Sequence, residues 1–81
     1  MAIFDVQAQA FHRPMFVQSR GVGLRATADE VNRATSDNLL YQHPEDFRLF
    51  ELGEFDDATG LFSCHTLPAL VADANSLKLE R

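Results

Sequence analysis

Residues 47–66 read as two strands folded over a tight turn, and a chain holding such a hairpin must build an antiparallel sheet and bury part of it. Successive side chains on a strand alternate between faces. Phe47, Leu49 and Phe55 therefore share one side of the first strand, with Phe50 and Leu52 on the other. Apolar residues on both sides predict a central strand or a bulge near Gly53. Asp56-Asp57-Ala58-Thr59-Gly60 supplies the turn: aspartates initiate turns, and Gly60 can take the left-handed conformation that closes one. The return strand is expected over Leu61 to Thr66, with Phe62 and Cys64 facing inward. Leu67-Pro68 is then expected to open a short C-terminal helix ending near Asn75.

Ahead of the hairpin, Ala2 to Ala8 places Phe4, Val6 and Ala8 on one side and Asp5 and Gln7 on the other, the pattern of a half-buried strand. Ile3 breaks the alternation and is expected where the strand is covered on both faces. Proline has no amide hydrogen for a ladder, so Pro14-Met15-Phe16-Val17 reads as an edge strand or an extended arm. Ser19 is a helix N-cap candidate, its hydroxyl accepting an otherwise unpaired amide. The helix is expected to run to about Arg33, with Leu24, Ala28 and Val31 on its apolar face and Asn32 as a terminator. Gly21 and Gly23 each weaken it by ~1 kcal/mol relative to alanine. Thr35 to Gln42 reads as a loop in which Leu39, Leu40 and Tyr41 fold back on the core, and His43-Pro44-Glu45-Asp46 as a short helical turn. The expected fold is α+β: a small antiparallel sheet of three strands, with the Pro14 segment as a candidate fourth edge, packed on one main helix. A single domain over residues 1–81 is expected.

The stability of such a domain is marginal, because a chain of 81 residues buries only about 60% of the surface its unfolded form exposes. Its 46% hydrophobic content and seven phenylalanines suffice for one core and argue against disorder. Cys64 is the only cysteine, so no internal disulfide can form, and association with a partner chain or a second copy is an expected route to further stability. One thiol fits a reducing, intracellular compartment. The N-terminal residues lack the basic and apolar regions of a secretory signal, and no apolar run approaches the ~20 residues of a membrane span. A cytosolic protein is expected.

The net charge of −5 is unevenly spread. Residues 1–33 carry four arginines against three carboxylates, whereas residues 35–81 carry three basic residues against nine acidic ones. Neutralising packaged DNA requires a dense positive field, so wholesale electrostatic DNA binding is excluded. A local contact through the arginine-bearing half stays open.

Residues able to do bond-making chemistry are scattered. His12, His43 and His65 lie far apart. Cys64 and His65 are adjacent, and neighbours on a strand point to opposite faces, so a buried structural Cys64 beside a surface His65 is expected rather than a nucleophile and its base. Glu51, Glu54, Asp56 and Asp57 lack the spacing of a calcium loop and read as an acidic hairpin tip held in water. Gly21-Val22-Gly23 precedes a helix but lacks the Gly-Lys-Ser/Thr of a phosphate loop and the third glycine of a dinucleotide fingerprint. Arg20 and Arg25 beside the helix start are candidates for holding a phosphate. Phe11, Phe16 and Tyr41 are candidates for base stacking, Phe11 and Phe16 with Arg13 and Arg20 interleaved; core packing and an interchain contact are the other readings of these rings. No catalytic, cofactor-binding or metal-binding residues are assigned and no cofactor is expected. The candidate contact residues are Phe11, Arg13, Phe16, Arg20 and Arg25.

Several segments in order, Ile3-Phe4-Asp5, Pro14-Met15-Phe16, Gly23-Leu24-Arg25 and Ala28-Asp29-Glu30-Val31-Asn32, lead into His43-Pro44-Glu45-Asp46-Phe47. They are followed by Leu49-Phe50-Glu51-Leu52-Gly53-Glu54-Phe55-Asp56 and Thr59-Gly60. This succession resembles the small nonstructural protein of gokushoviruses, single-stranded DNA phages of the Microviridae, over about Ile3 to Leu70. The resemblance implies a non-virion protein of the bacterial host cytoplasm, tied to viral DNA replication. Proteins of that family are often labelled DNA-binding, by analogy with the microvirus protein that switches synthesis from duplex to packaged single strands. It brings no catalytic or binding residues with it, and Lys78-Leu79-Glu80-Arg81 lies beyond it. The reading that results is a regulatory binding protein, not an enzyme, whose partner is a viral or host replication protein and which forms a homodimer. The alternatives are a direct single-stranded DNA binder and a host-directed inhibitor.

Overall fold

The computed structural model describes residues 1–79. Its centre is β3 (Phe47–Asp56), flanked by β1 (Ala2–Asp5) on one side and β4 (Leu61–Asp73) on the other. The two-residue β2 (Ala10–Phe11) lies outside β1, completing an antiparallel sheet in the order β2-β1-β3-β4. The main helix, α1 (Arg20–Val31), covers one face; α2 (Leu39–Gln42) and two 3-10 turns, Pro44–Asp46 and Ala74–Leu77, close the same side. The class is the expected α+β, with four strands in the sheet.

Local chemistry explains most of the boundaries. The Ser19 hydroxyl accepts the Val22 amide at 3.2 Å and caps α1, and Asn32 caps the other end. Asn32 also donates to the carbonyls of Ala28 and Leu77 and accepts the Leu79 amide, tying the C-terminal segment to the helix. Buried Asn38 does the same for α2: it donates to the carbonyls of Glu30 and Arg33 and accepts the Leu40 and Tyr41 amides. The segment expected to be a loop thus holds one short helix, from which Leu40 reaches the core while Leu39 stays exposed. Pro44 opens its 3-10 turn as expected. At the hairpin tip, the Asp56 carboxylate accepts the Ala58 amide at 2.9 Å, and Gly60 sits at φ +77°.

Four expectations are corrected. β1 stops at Asp5, because the Asp5 carboxylate accepts the amides of Gln7 and Ala8 and bends the chain toward β2; Val6 and Ala8 therefore leave the ladder. Of the two readings of the Pro14 segment the extended arm holds; what is corrected is the fourth edge, which is Ala10–Phe11 and not Pro14–Val17. The buried face of α1 is Gly23, Thr27 and Val31, with Leu24 at its margin, and not Leu24, Ala28 and Val31. Gly23 leads that face because a Cβ there would overlap the Met1 sulfur, and the Thr27 hydroxyl is satisfied by the Gly23 carbonyl at 2.9 Å. Finally, the expected helix from Leu67 is strand: β4 continues to Asp73, and only Ala74–Leu77 turns. Pro68 falls between the paired residues Cys64 and Ala69, in an irregular stretch of the ladder, where a missing amide costs no ladder bond.

The core joins Ile3, Phe47 and Leu49 of the sheet to Val31 of α1 and Ala74 of the last turn. Ala2 and Ile3 are both buried, as expected for a strand covered on two sides. The opposite sheet face carries Phe4, Phe11 and Phe50, packed edge to face with ring centroids 4.9–6.3 Å apart. The molecule is elongated, 43 × 24 × 20 Å. Every residue from 54 to 68 is exposed, so the far half of the β3–β4 hairpin stands clear of the core.

Candidate functional site

The projecting hairpin owes its shape to Gly53. Its φ of +153° lies where side chains are rarely tolerated, and a Cβ would run into the Ser63 carbonyl and approach the Cys64 Cα to 2.7 Å. The ladder shifts register on either side, between Leu49 and Phe50 and between Glu51 and Gly53. Beyond this irregularity Phe55 and Phe62 become direct cross-strand partners, with rings 4.8 Å apart.

Phe16 comes onto this pair from the arm, 5.8 Å from the Phe55 ring and 6.2 Å from that of Phe62. The arm is held in place by two backbone hydrogen bonds exchanged between Met1 and Met15, at 2.8 and 3.1 Å. The trio is not a core: Phe16 is 72% exposed and Phe62 63%. Between arm and hairpin lies a cleft of about 850 Å³, lined by Pro14, Phe16, Arg20, Glu51, Phe55 and Phe62 among others. Glu54, Asp56 and Asp57 stand exposed beside it.

One ionic cluster locks the cleft. The Arg20 Nε donates to Glu51 Oε2 at 2.9 Å, and the other Glu51 oxygen lies 3.3 Å from His65 Nε2. These contacts, the Arg20 guanidinium before the His65 ring, hold the Glu51 carboxyl below its ordinary value of 4.5. A carboxylate with a depressed folded-state pKa stabilises the fold above its unfolded pKa and loses that contribution as pH falls through the folded one. Glu51→Gln is therefore expected to lower the thermal midpoint at neutral pH. The difference from the native chain should shrink to nothing as pH drops well below 4.5, measured by paired melts along a pH series.

The five candidate contact residues do not converge. Phe16 and Arg20 line the cleft. Phe11 lies with Phe4 and Phe50 on the outer sheet face. Arg13 is exposed before the arm and Arg25 is exposed on α1. At 3.6 residues per turn, positions five apart lie ~140° around a helix, so Arg20 and Arg25 do not share one phosphate. Arg20 is moreover engaged by Glu51.

Phe62 and Cys64, expected inward, are both exposed. This half of the hairpin stands clear of the core, so a face that alternation marks as inner meets solvent and the arm. Phe55, Phe62, Glu51 and His65 were not among the sequence candidates; the one available signal was the pairing of Phe55 and Phe62 across a turn beginning at Asp56. A separate group, His43, Glu45 and Asp46, brings three ligand-type atoms within 4.8 Å of one another. His43 and Glu45 are exposed, and the Asp46 carboxylate accepts the Gln7 side-chain amide at 3.3 Å.

Fold and site together define a small α+β protein whose distinctive surface is an uncovered aromatic hairpin with an acidic rim. The family model of the Phage ORF5 protein matches residues 1–77, and the chain belongs to that family; it is a bacteriophage protein. No curated protein and no solved structure matches it. Among the described residues, no helix is long and apolar enough to cross a membrane.

Proposed function

We propose that this chain is a nonstructural regulatory protein of a gokushovirus-type single-stranded DNA phage, acting in the host cytoplasm by contact with a viral or host replication protein. The Phage ORF5 family membership supports the phage origin, and the ordered motifs from Ile3 to Leu70 support the narrower group. The observation that carries the binding reading is the Phe16–Phe55–Phe62 surface. Three large rings left open to solvent cost free energy unless a partner covers them, and exposed apolar clusters with polar rims mark interaction sites.

The rim indicates the partner's chemistry. Glu54, Asp56 and Asp57 repel a phosphate backbone and suit a protein surface that presents apolar side chains flanked by lysine or arginine. Direct single-stranded DNA binding is the second reading, favoured by exposed Arg13 and Arg25, which form no ion pair among the described residues.

Affinity capture from phage-infected cells, with and without nuclease, separates the two. The proposal expects a discrete protein partner that survives nuclease. Recovery of DNA alone, or loss of every partner on digestion, would replace it with the second reading.

A further inference from the structure

We infer that two copies of this chain pack face to face through the outer side of the sheet, around Phe4, Phe11, Phe50 and Leu70. The helices and both 3-10 turns lie on the other side, and a sheet face left in water normally reads polar. This one does not. Residues directly opposite on neighbouring strands share a face. That puts Ala2, Phe50 and Leu70 in one row and Phe11, Phe4, Arg48 and Asp73 in the next. Val71, the extra residue between Leu70 and Ala72, packs on the core. Leu70 keeps the outer side and is 55% exposed, and Phe11 is 43% exposed. Apolar side chains on both faces of β1 and β3 fit a sheet that is covered twice.

Charge selects a second copy as the cover. Over the patch the ionic groups are Arg48 and Asp73, joined at 3.1 Å. A chain of net −5 therefore meets its own copy there across a neutral surface. Charge also fixes the arrangement. Phe55 meets Phe16 on the side of α1, so its neighbours Glu54 and Asp56 point to the outer side. Copies with their hairpins side by side would crowd these carboxylates together. A two-fold axis running across the strands at Phe50 sends the hairpins to opposite ends instead and lays each strand antiparallel over its own copy. Phe50 then meets Phe50 and Leu70 meets Leu70, with the sheets ~10 Å apart. Arg48 lies two residues before the axis and Glu54 four residues beyond it, which leaves them offset by about 7 Å along the strands of the two copies, within reach of two long side chains. Such a pair is isologous and closes at two chains. The patch is small beside the ~800 Å² per partner of a standard interface, so the dimer is a reversible one. The Phe16–Phe55–Phe62 surface lies on the opposite side of the sheet and stays free, so the inference stands or falls apart from the proposed function.

Light scattering of the native chain over a concentration series is expected to give a mass that rises from one chain toward two and no further. Leu70→Lys sets like charges face to face across the axis at an exposed position. It is expected to hold the mass at one chain with an unchanged far-ultraviolet circular dichroism spectrum. Nuclear magnetic resonance of the native chain supplies a reading that needs no variant. The resonances that move with concentration should be those of Phe4, Phe11, Phe50 and Leu70, while those of Phe16 and Phe62 stay in place. A mass of one chain at every concentration, a lysine variant that still dimerises, or shifts centred on Phe16 and Phe62 would overturn the inference.

Discussion

Leu49→Ala is expected to cost about 3 kcal/mol and to lower the midpoint of thermal unfolding by ~12 °C or more. Leu49 is fully buried on the central strand, paired with Ile3 on one side and Ala72 on the other, and packs in the cluster with Val31, Phe47 and Ala74. Truncating it removes three heavy atoms from the point where sheet and helix meet, and surrounding groups fixed by two ladders cannot collapse into the space. The effect is large because domains are marginal to begin with, ~5–15 kcal/mol in total. Calorimetry or a circular dichroism melt reads it directly; a shift of only a degree or two would mean that the core lies elsewhere.

Gly53→Ala is expected to cost a comparable amount, about 3 kcal/mol, from a substitution that adds a single methyl. Two penalties add: a backbone angle of +153° that a Cβ disfavours, and overlap with the Ser63 carbonyl and the Cys64 Cα. Both obstacles are backbone, so no rotamer change relieves them. The damage should be local to the hairpin. Amide exchange should rise over residues 51–66 more than in α1, and the ring contacts of Phe55 and Phe62 should loosen. Uniform destabilisation, or none, would show that the bulge does not depend on glycine.

Local chemistry in this chain was readable wherever a side chain acts on its own backbone. Ser19, Asn32, Pro44, Asp56 and Gly60 each announce the turn or cap they make, because such bonds span only a few residues. The arrangement of faces was less so. Alternation along β4 assigns Phe62 and Cys64 to one side, but it cannot say whether anything packs against that side. From the arm, the ring that meets Phe55 and Phe62 is that of Phe16. The continuation of β4 through Pro68 was hidden because a single residue type argued for a helix start, while the irregular stretch that absorbs the missing amide depends on pairing with β3. The α1 face was misjudged by counting apolar residues alone: Gly23 is there for close approach to Met1, and Thr27 can be buried because its hydroxyl returns to the helix.

The candidate site shows the same division. Phe16 and Arg20 were legible as exposed-type residues near a helix start. Their meeting with Phe55, Phe62 and Glu51 spans from 31 to 46 positions along the chain and follows from the arm's backbone pairing with Met1. Phe11, so close to Phe16 in sequence, belongs to another surface because β2 turns its ring onto Phe4 and Phe50.

Capture from infected cells with three baits tests directly whether the aromatic hairpin is the working surface. The native chain and Phe11→Asp, altered on the outer sheet face, should retain the same nuclease-resistant partner. Phe16→Asp/Phe62→Asp, changed at two exposed rings, should lose it while keeping the native circular dichroism spectrum. Retention of the partner by the folded double variant would contradict the account, since the surface left uncovered by the fold would then have no part in binding.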